Sequence, residues 1–165
     1  ANPPPRVTEA MLAAEFEKRR EELRRPPRFS IEHLYFNRER EADMEAAIET
    51  IGREGLDAAA ARELGSPFLP GYRFTRQSPD QLARHFGAAF VENLQATDPQ
   101  PGAWHGPVRS TYGMHYVWVE DVEPGRDAEL EEVRSLLQRD IEARLREQAL
   151  REAIASLREQ YEVVK

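Results

Sequence analysis

From Leu130 to Leu157 apolar residues recur through a background of Arg and Glu, at Leu130, Val133, Leu137, Ile141, Leu145, Leu150, Ile154 and Leu157. That pattern predicts one amphipathic helix with a sustained apolar stripe. Unbroken, it would be on the order of 45 Å long at 1.5 Å per residue, longer than a small domain is wide. It must therefore project, or lay its stripe against another helix. A partner stands at the other end of the chain: Leu12, Phe16 and Leu23 share one face of a helix predicted from the Thr8 N-cap to about Arg25. Pro26 and Pro27 stop that helix, and Pro124 and Gly125 precede the long one. The reading is of arms at 1–27 and 124–165 around a domain at 28–123. Asn2 to Arg6 should be extended, because Pro3, Pro4 and Pro5 restrict φ. Tyr161 to Lys165, YEVVK, has strand character.

The central segment mixes short strands and helices. Phe29 to Asn37, FSIEHLYFN, is aromatic and β-branched and predicts a strand with Ile31, His33 and Tyr35 on one side. Met44, Ala47, Ile48 and Ile51 predict a helix, and Asp57 to Leu64 a second, shorter one. Gly65 to Thr75, GSPFLPGYRFT, predicts an ordered loop in which Phe68, Leu69, Tyr72 and Phe74 are apolar anchors. Ser78-Pro79-Asp80-Gln81 is a capping box with proline at the first helical position, so a helix starts there and carries Leu82 and Phe86, then continues or breaks at Gly87 before Phe90 and Leu94. Trp104 to Val108 and Met114 to Val122 predict two strands joined by a tight turn, with His115, Val117 and Val119 on one face. The order is helix, strand, helices, strand, strand, long helix, which is an α+β class.

The segment GPVRSTYGMHYVWV resembles the signature of the parvulin (PpiC-type) peptidyl-prolyl isomerases: Gly-Pro-Val, a Ser/Thr-containing turn, a glycine, one apolar residue and a histidine. IEHLYF is similar to the first parvulin strand with its central histidine, and LARHFGAAFVENL to the helix before the signature. The flanking helices resemble those of bacterial extracytoplasmic foldases. The resemblance implies a small antiparallel sheet with surrounding helices. It also implies His33 and His115 on neighbouring strands in one hydrogen-bond network, and Ser110 as the turn hydroxyl. Leu69, Phe74, Leu82 and Phe86 would then line the pocket for a proline ring. Where the family usually has Cys or Asp, Ser66 is the nearest candidate, a departure that bears on catalytic efficiency.

The implied activity is cis-trans isomerisation of prolyl bonds in unfolded or partly folded polypeptides, with no cofactor. The alternatives are a non-catalytic chaperone of the same fold and a scaffold whose long helix serves oligomerisation, including a homodimer through the arms. The residues also admit plainer roles. A histidine in a strand is more often a satisfied interior side chain than a catalytic one; His85 and His105 read as surface or structural. Leu82 and Phe86 fit a pocket wall and a core equally, and Phe90 fits core.

Composition removes other classes. A net charge of -7 opposes binding to nucleic acid. The absence of cysteine excludes disulfides and zinc-thiolate sites, and no His-Glu-x-x-His spacing points to a metal. No run approaches the roughly 20 apolar residues of a membrane span. The chain opens at Ala1 without a leader, so a targeting segment or anchor is expected to have been cleaved or to lie outside this chain. The family resemblance implies a periplasmic or other extracytoplasmic location, with membrane tethering of the full-length protein and a cytoplasmic location both left open.

Overall fold

A computed structural model describes residues 6–163. Along them the elements are α1 (Glu9–Lys18), β1 (Arg28–Phe36), α2 (Met44–Glu54), α3 (Ala58–Ala61), β2 (Arg73–Gln77), α4 (Pro79–Phe86), α5 (Ala88–Ala96), β3 (Ala103–Arg109), β4 (Met114–Glu123) and α6 (Leu130–Val163), with 3-10 turns at Arg38–Asp43 and Arg62–Leu64. They form two compact units: the residues up to Arg25 together with those from Arg126 onward, and Pro26–Gly125.

In the Pro26–Gly125 unit an antiparallel sheet runs β2-β1-β4-β3. Central strands β1 and β4 pair along their length, Ile31 opposite Val119, His33 opposite Val117 and Tyr35 opposite His115. Both faces are covered. Phe29, Ile31, Val117 and Val119 pack with Leu82, Phe86, Phe90 and Leu94 of α4 and α5. Leu34 and Phe36, alternate residues of β1, pack on the other side with Ala47 and Ile51 of α2 and Ala61 of α3. The α4 start is the capping box read from the sequence: Ser78 Oγ accepts the Gln81 N–H at 3.2 Å and Gln81 Oε1 accepts the Ser78 N–H at 2.9 Å. At Gly87, φ 97°, the chain breaks between α4 and α5. Gly106–Pro107, a cis peptide, lies in the β3 irregularity between His105 and Val108.

In the helical unit Leu12, Leu23, Val133, Leu137 and Ile141 are buried together, with Phe16, Leu130 and Leu145 against them. Ion pairs Arg134–Glu9 (2.6 Å), Arg144–Glu15 (3.2 Å) and Arg19–Asp140 (2.9 Å) flank that seam. Arg25 and Arg126 exchange both backbone hydrogen bonds, at 2.7 and 3.0 Å.

Several expectations need correction. The first helix ends at Lys18 and not near Arg25, since the backbone must extend to bridge Arg126 before Pro26; Leu23 is nonetheless buried, from a turn. Arg73–Gln77 is a fourth strand and not loop. Its RFTRQ buries only Phe74, so alternation is too faint to read, and pairing with β1 supplies the extended conformation. Tyr161–Val163 continue α6 and form no strand, because each residue added to a nucleated helix gains a hydrogen bond. The long stripe is two: Leu150, Ile154 and Leu157 are exposed. The proline-rich segment through Pro5, and Val164 and Lys165, lie outside the described residues.

Candidate active site

His33 and His115 sit two residues out of register on β1 and β4, so their side chains meet diagonally on the face covered by α4 and α5. The Nδ1 atoms are 3.0 Å apart. Relative exposures of 2% and 0% place both rings out of solvent. Desolvation lowers the pKa of His33 to about 4; desolvation, then the charge of His33, lowers that of His115 to about 3. Both imidazoles are thus neutral near pH 7, each with one N–H.

That fixes the direction of the network. The Gly71 carbonyl, 2.9 Å from His33 Nε2, can only accept, so the His33 proton is on Nε2 and its Nδ1 is an acceptor. His115 must then donate from Nδ1, which leaves its Nε2 to accept from the Ser110 hydroxyl at 2.5 Å. Ser110 Oγ in turn accepts the Tyr112 N–H at 3.0 Å. One chain of hydrogen bonds runs from the 110–112 turn through both histidines to the 65–72 loop.

Aromatic rings enclose the pair. Phe68 stands edge-on over His33 at 4.8 Å and over His115 at 5.7 Å; Phe86 does the same at 5.2 and 5.3 Å. Phe86 is stacked between Phe68 at 6.0 Å and Phe90 at 4.4 Å. Beside this cluster lies a cavity of about 350 Å³ lined by Phe86, Gly87, Phe90, Ser110 and Thr111 among others. Its lining includes neither imidazole.

Of the residues singled out in the sequence, the structure brings His33, His115 and Ser110 into direct contact, with Phe74, Leu82 and Phe86 buried in the adjoining cluster. Ser66 is buried at the β1 edge. Its Oγ accepts the Asn37 N–H at 3.3 Å, its N–H donates to Tyr35 O at 2.6 Å, and it makes no hydrogen bond to either imidazole among the described residues. Leu69 is fully exposed and anchors nothing; with Pro67 and Pro70 on the outside, Phe68 alone turns inward at that bend. His85 is exposed, and His105 is half-buried and accepts the Gln100 N–H. Missed at this site were Phe68 as its cover, Tyr112, whose carbonyl accepts the Tyr35 hydroxyl at 2.9 Å, and the Gly71 carbonyl. Tyr112 lies inside the signature turn and Phe68 between two prolines, which were signals; a backbone carbonyl leaves none. Among the described residues no three metal-binding side chains gather.

Residues 7–135 match the PPIC-type PPIase domain. The chain belongs to the PPIC-type peptidyl-prolyl isomerase family. One of the SurA-like chaperones of Campylobacter jejuni, described as the virulence factor PEB4 and the periplasmic protein Cj1289, superposes on this PPIC-type domain at a TM-score of 0.60 and 13% identity, over 94% of this chain and 62% of that one. The peptidylprolyl isomerase PrsA of Bacillus cereus does so at 0.50 and 18%, over 88% and 54%. At these identities the likeness is one of fold, and the PPIC-type chain spans less than two thirds of either. No curated protein sequence matches it. Among the described residues no helix is long and apolar enough to cross a membrane.

Proposed function

We propose that this PPIC-type domain catalyses cis-trans isomerisation of prolyl bonds in unfolded or partly folded polypeptides, working as an extracytoplasmic foldase. The uncatalysed barrier is roughly 18 to 20 kcal/mol because the amide loses resonance as it twists, and exchange takes on the order of tens to hundreds of seconds. No bond to carbon is made or broken. A site needs an apolar place for the pyrrolidine ring and polar groups that suit the twisted amide better than either planar form. What carries this reading is the neutral His33–His115 pair, tied at 3.0 Å and lying beneath the edges of Phe68 and Phe86. His33 and His115 shape the floor, Ser110 holds the tautomer, and Phe74, Leu82 and Phe86 wall the socket. Ser66 steadies the end of β1 and touches no reacting atom.

The test is exchange of a proline-containing tetrapeptide, followed by magnetisation transfer so that no coupled protease is needed. Catalysis by the unsubstituted chain, lost in His33→Ala and His115→Ala, is the expected result; a folded chain with no effect on exchange would end the proposal. A second reading, a chaperone that holds clients without turning them over, is favoured by one observation: the imidazoles are 2% and 0% exposed. Suppression of client aggregation with no exchange would select it. Pairing of two copies along the exposed Leu150, Ile154 and Leu157 belongs to the same proposal, and solution mass checks it.

A further inference from the structure

The residue that covers the imidazole pair is held differently from the rest of the cluster. Leu82, Phe86 and Phe90 are on helices, and Phe74 is on a strand. Phe68 is on a loop without regular structure, between Pro67 and Pro70, and is the one buried side chain from Pro67 to Gly71. The next residue, Leu69, is 101% exposed, so nothing apolar clamps the tip. The Phe68 N–H reaches Tyr72 Oη at 2.9 Å, and the Gly71 carbonyl takes the His33 Nε2–H. The Phe68 ring is itself walled by rings: the two imidazoles, Tyr35 at 4.9 Å, Tyr112 at 5.3 Å and Phe86.

A flat apolar ring seated edge-on over two neutral imidazoles occupies the space that the proposed function requires for a pyrrolidine. The two cannot be there together, since the interior is close-packed and the histidines are all but closed to a client amide. We infer that Phe68 is the protein's own occupant of the proline socket, and that a client proline enters by displacing its ring as the 67–70 loop lifts. The loop is built for that exchange. Its ends are fixed by the Ser66 N–H to Tyr35 carbonyl bond and by the Tyr72 carbonyl, which accepts the His33 N–H at 3.1 Å. Between these points one ring and few hydrogen bonds hold it down. Affinity for a client is then reduced by the fraction of molecules in which the socket is empty.

The inference rests on the site assigned above, and its test separates the two. Phe68→Ala should bind a proline tetrapeptide about tenfold more tightly, read from the imidazole resonances of His33 and His115, and should raise kcat/KM by a similar factor through KM. Binding that is unchanged or weaker overturns the gate, whatever catalysis does. Tighter binding without exchange in any variant keeps the gate and removes the isomerase reading; exchange with unaltered binding does the reverse. Should Phe68→Ala fail to fold, the unsubstituted chain decides: on saturation with tetrapeptide the Phe68 ring resonances must leave the environment of the imidazoles, and bound peptide without that movement overturns the inference.

Discussion

Two imidazoles that titrate near 6.5 in an unfolded chain and well below that in the folded one make the sheet unit sensitive to mild acid. Between those values the unfolded state binds more protons, so stability is fully present above about pH 6.5 and is lost as pH falls toward the folded values of about 4 and about 3. Taken together the pair should cost on the order of 3 kcal/mol between pH 7 and pH 5, a range in which most carboxylates remain charged. Urea unfolding followed by Trp104 and Trp118, the two tryptophans and both in that unit, measures it; a midpoint that does not move over this range would contradict the assignment. The direction of the hydrogen-bond chain gives a second expectation. Ser110→Ala removes the only donor seen for His115 Nε2 among the described residues and should destabilise by about 1 to 3 kcal/mol, with the His115 nitrogen shifts moving toward a mixture of tautomers. Ser110→Thr keeps the hydroxyl and should restore both.

Where β1 and β4 hold the histidines, the strands approach closely enough to require a particular glycine. A Cβ on Gly113 would lie 2.6 Å from the Phe36 carbonyl oxygen and 3.0 Å from the Tyr35 ring, so Gly113→Ala must push apart the strand ends beside His115. A loss of about 2 to 4 kcal/mol is expected, together with weakened Nδ1 contact visible in the imidazole spectra. Gly52, in α2, has open space around its would-be Cβ, and Gly52→Ala should stabilise by about 0.5 to 1 kcal/mol. Denaturation midpoints that put the two substitutions on the same side of wild type would refute the packing argument. The elements whose local chemistry agrees with their tertiary setting could be read from the letters: the α4 cap, and β1 and β4, where β-branched and aromatic residues flank each histidine. Strand β2 could not, because Phe74 is its one inward residue and its conformation comes from pairing with β1. The histidine pair was read through the resemblance around Gly113-Met114-His115, whereas Phe68 was read only as a loop anchor; covering the site is a property of where the loop lands and has no local signature.

The chain enters and leaves the sheet unit at neighbouring points, since Arg25 and Arg126 pair directly, which is what lets a compact domain interrupt a helical one. The high charge content belongs largely to the helical unit, where exposed ion pairs are each worth roughly 0 to 1 kcal/mol, so its stability must come from the buried seam. That seam runs only as far as the helix geometry keeps it aligned. From Leu130 to Leu145 steps of three and four hold the apolar residues on one face; the five-residue step to Leu150 rotates the stripe by about 140°, onto a different face. Ile141 is therefore fully buried, and Ile154, on the same helix, is 44% exposed. Ile141→Ala should cost about 2 to 5 kcal/mol, as cavity-forming substitutions do. Ile154→Ala should change the stability of the monomer by no more than about 0.5 kcal/mol. Thermal unfolding followed by far-UV circular dichroism at low protein concentration distinguishes them. Equal losses at both positions would mean that the distal face is packed in solution; if the Ile154→Ala loss then grew with protein concentration, a second copy would be what covers it.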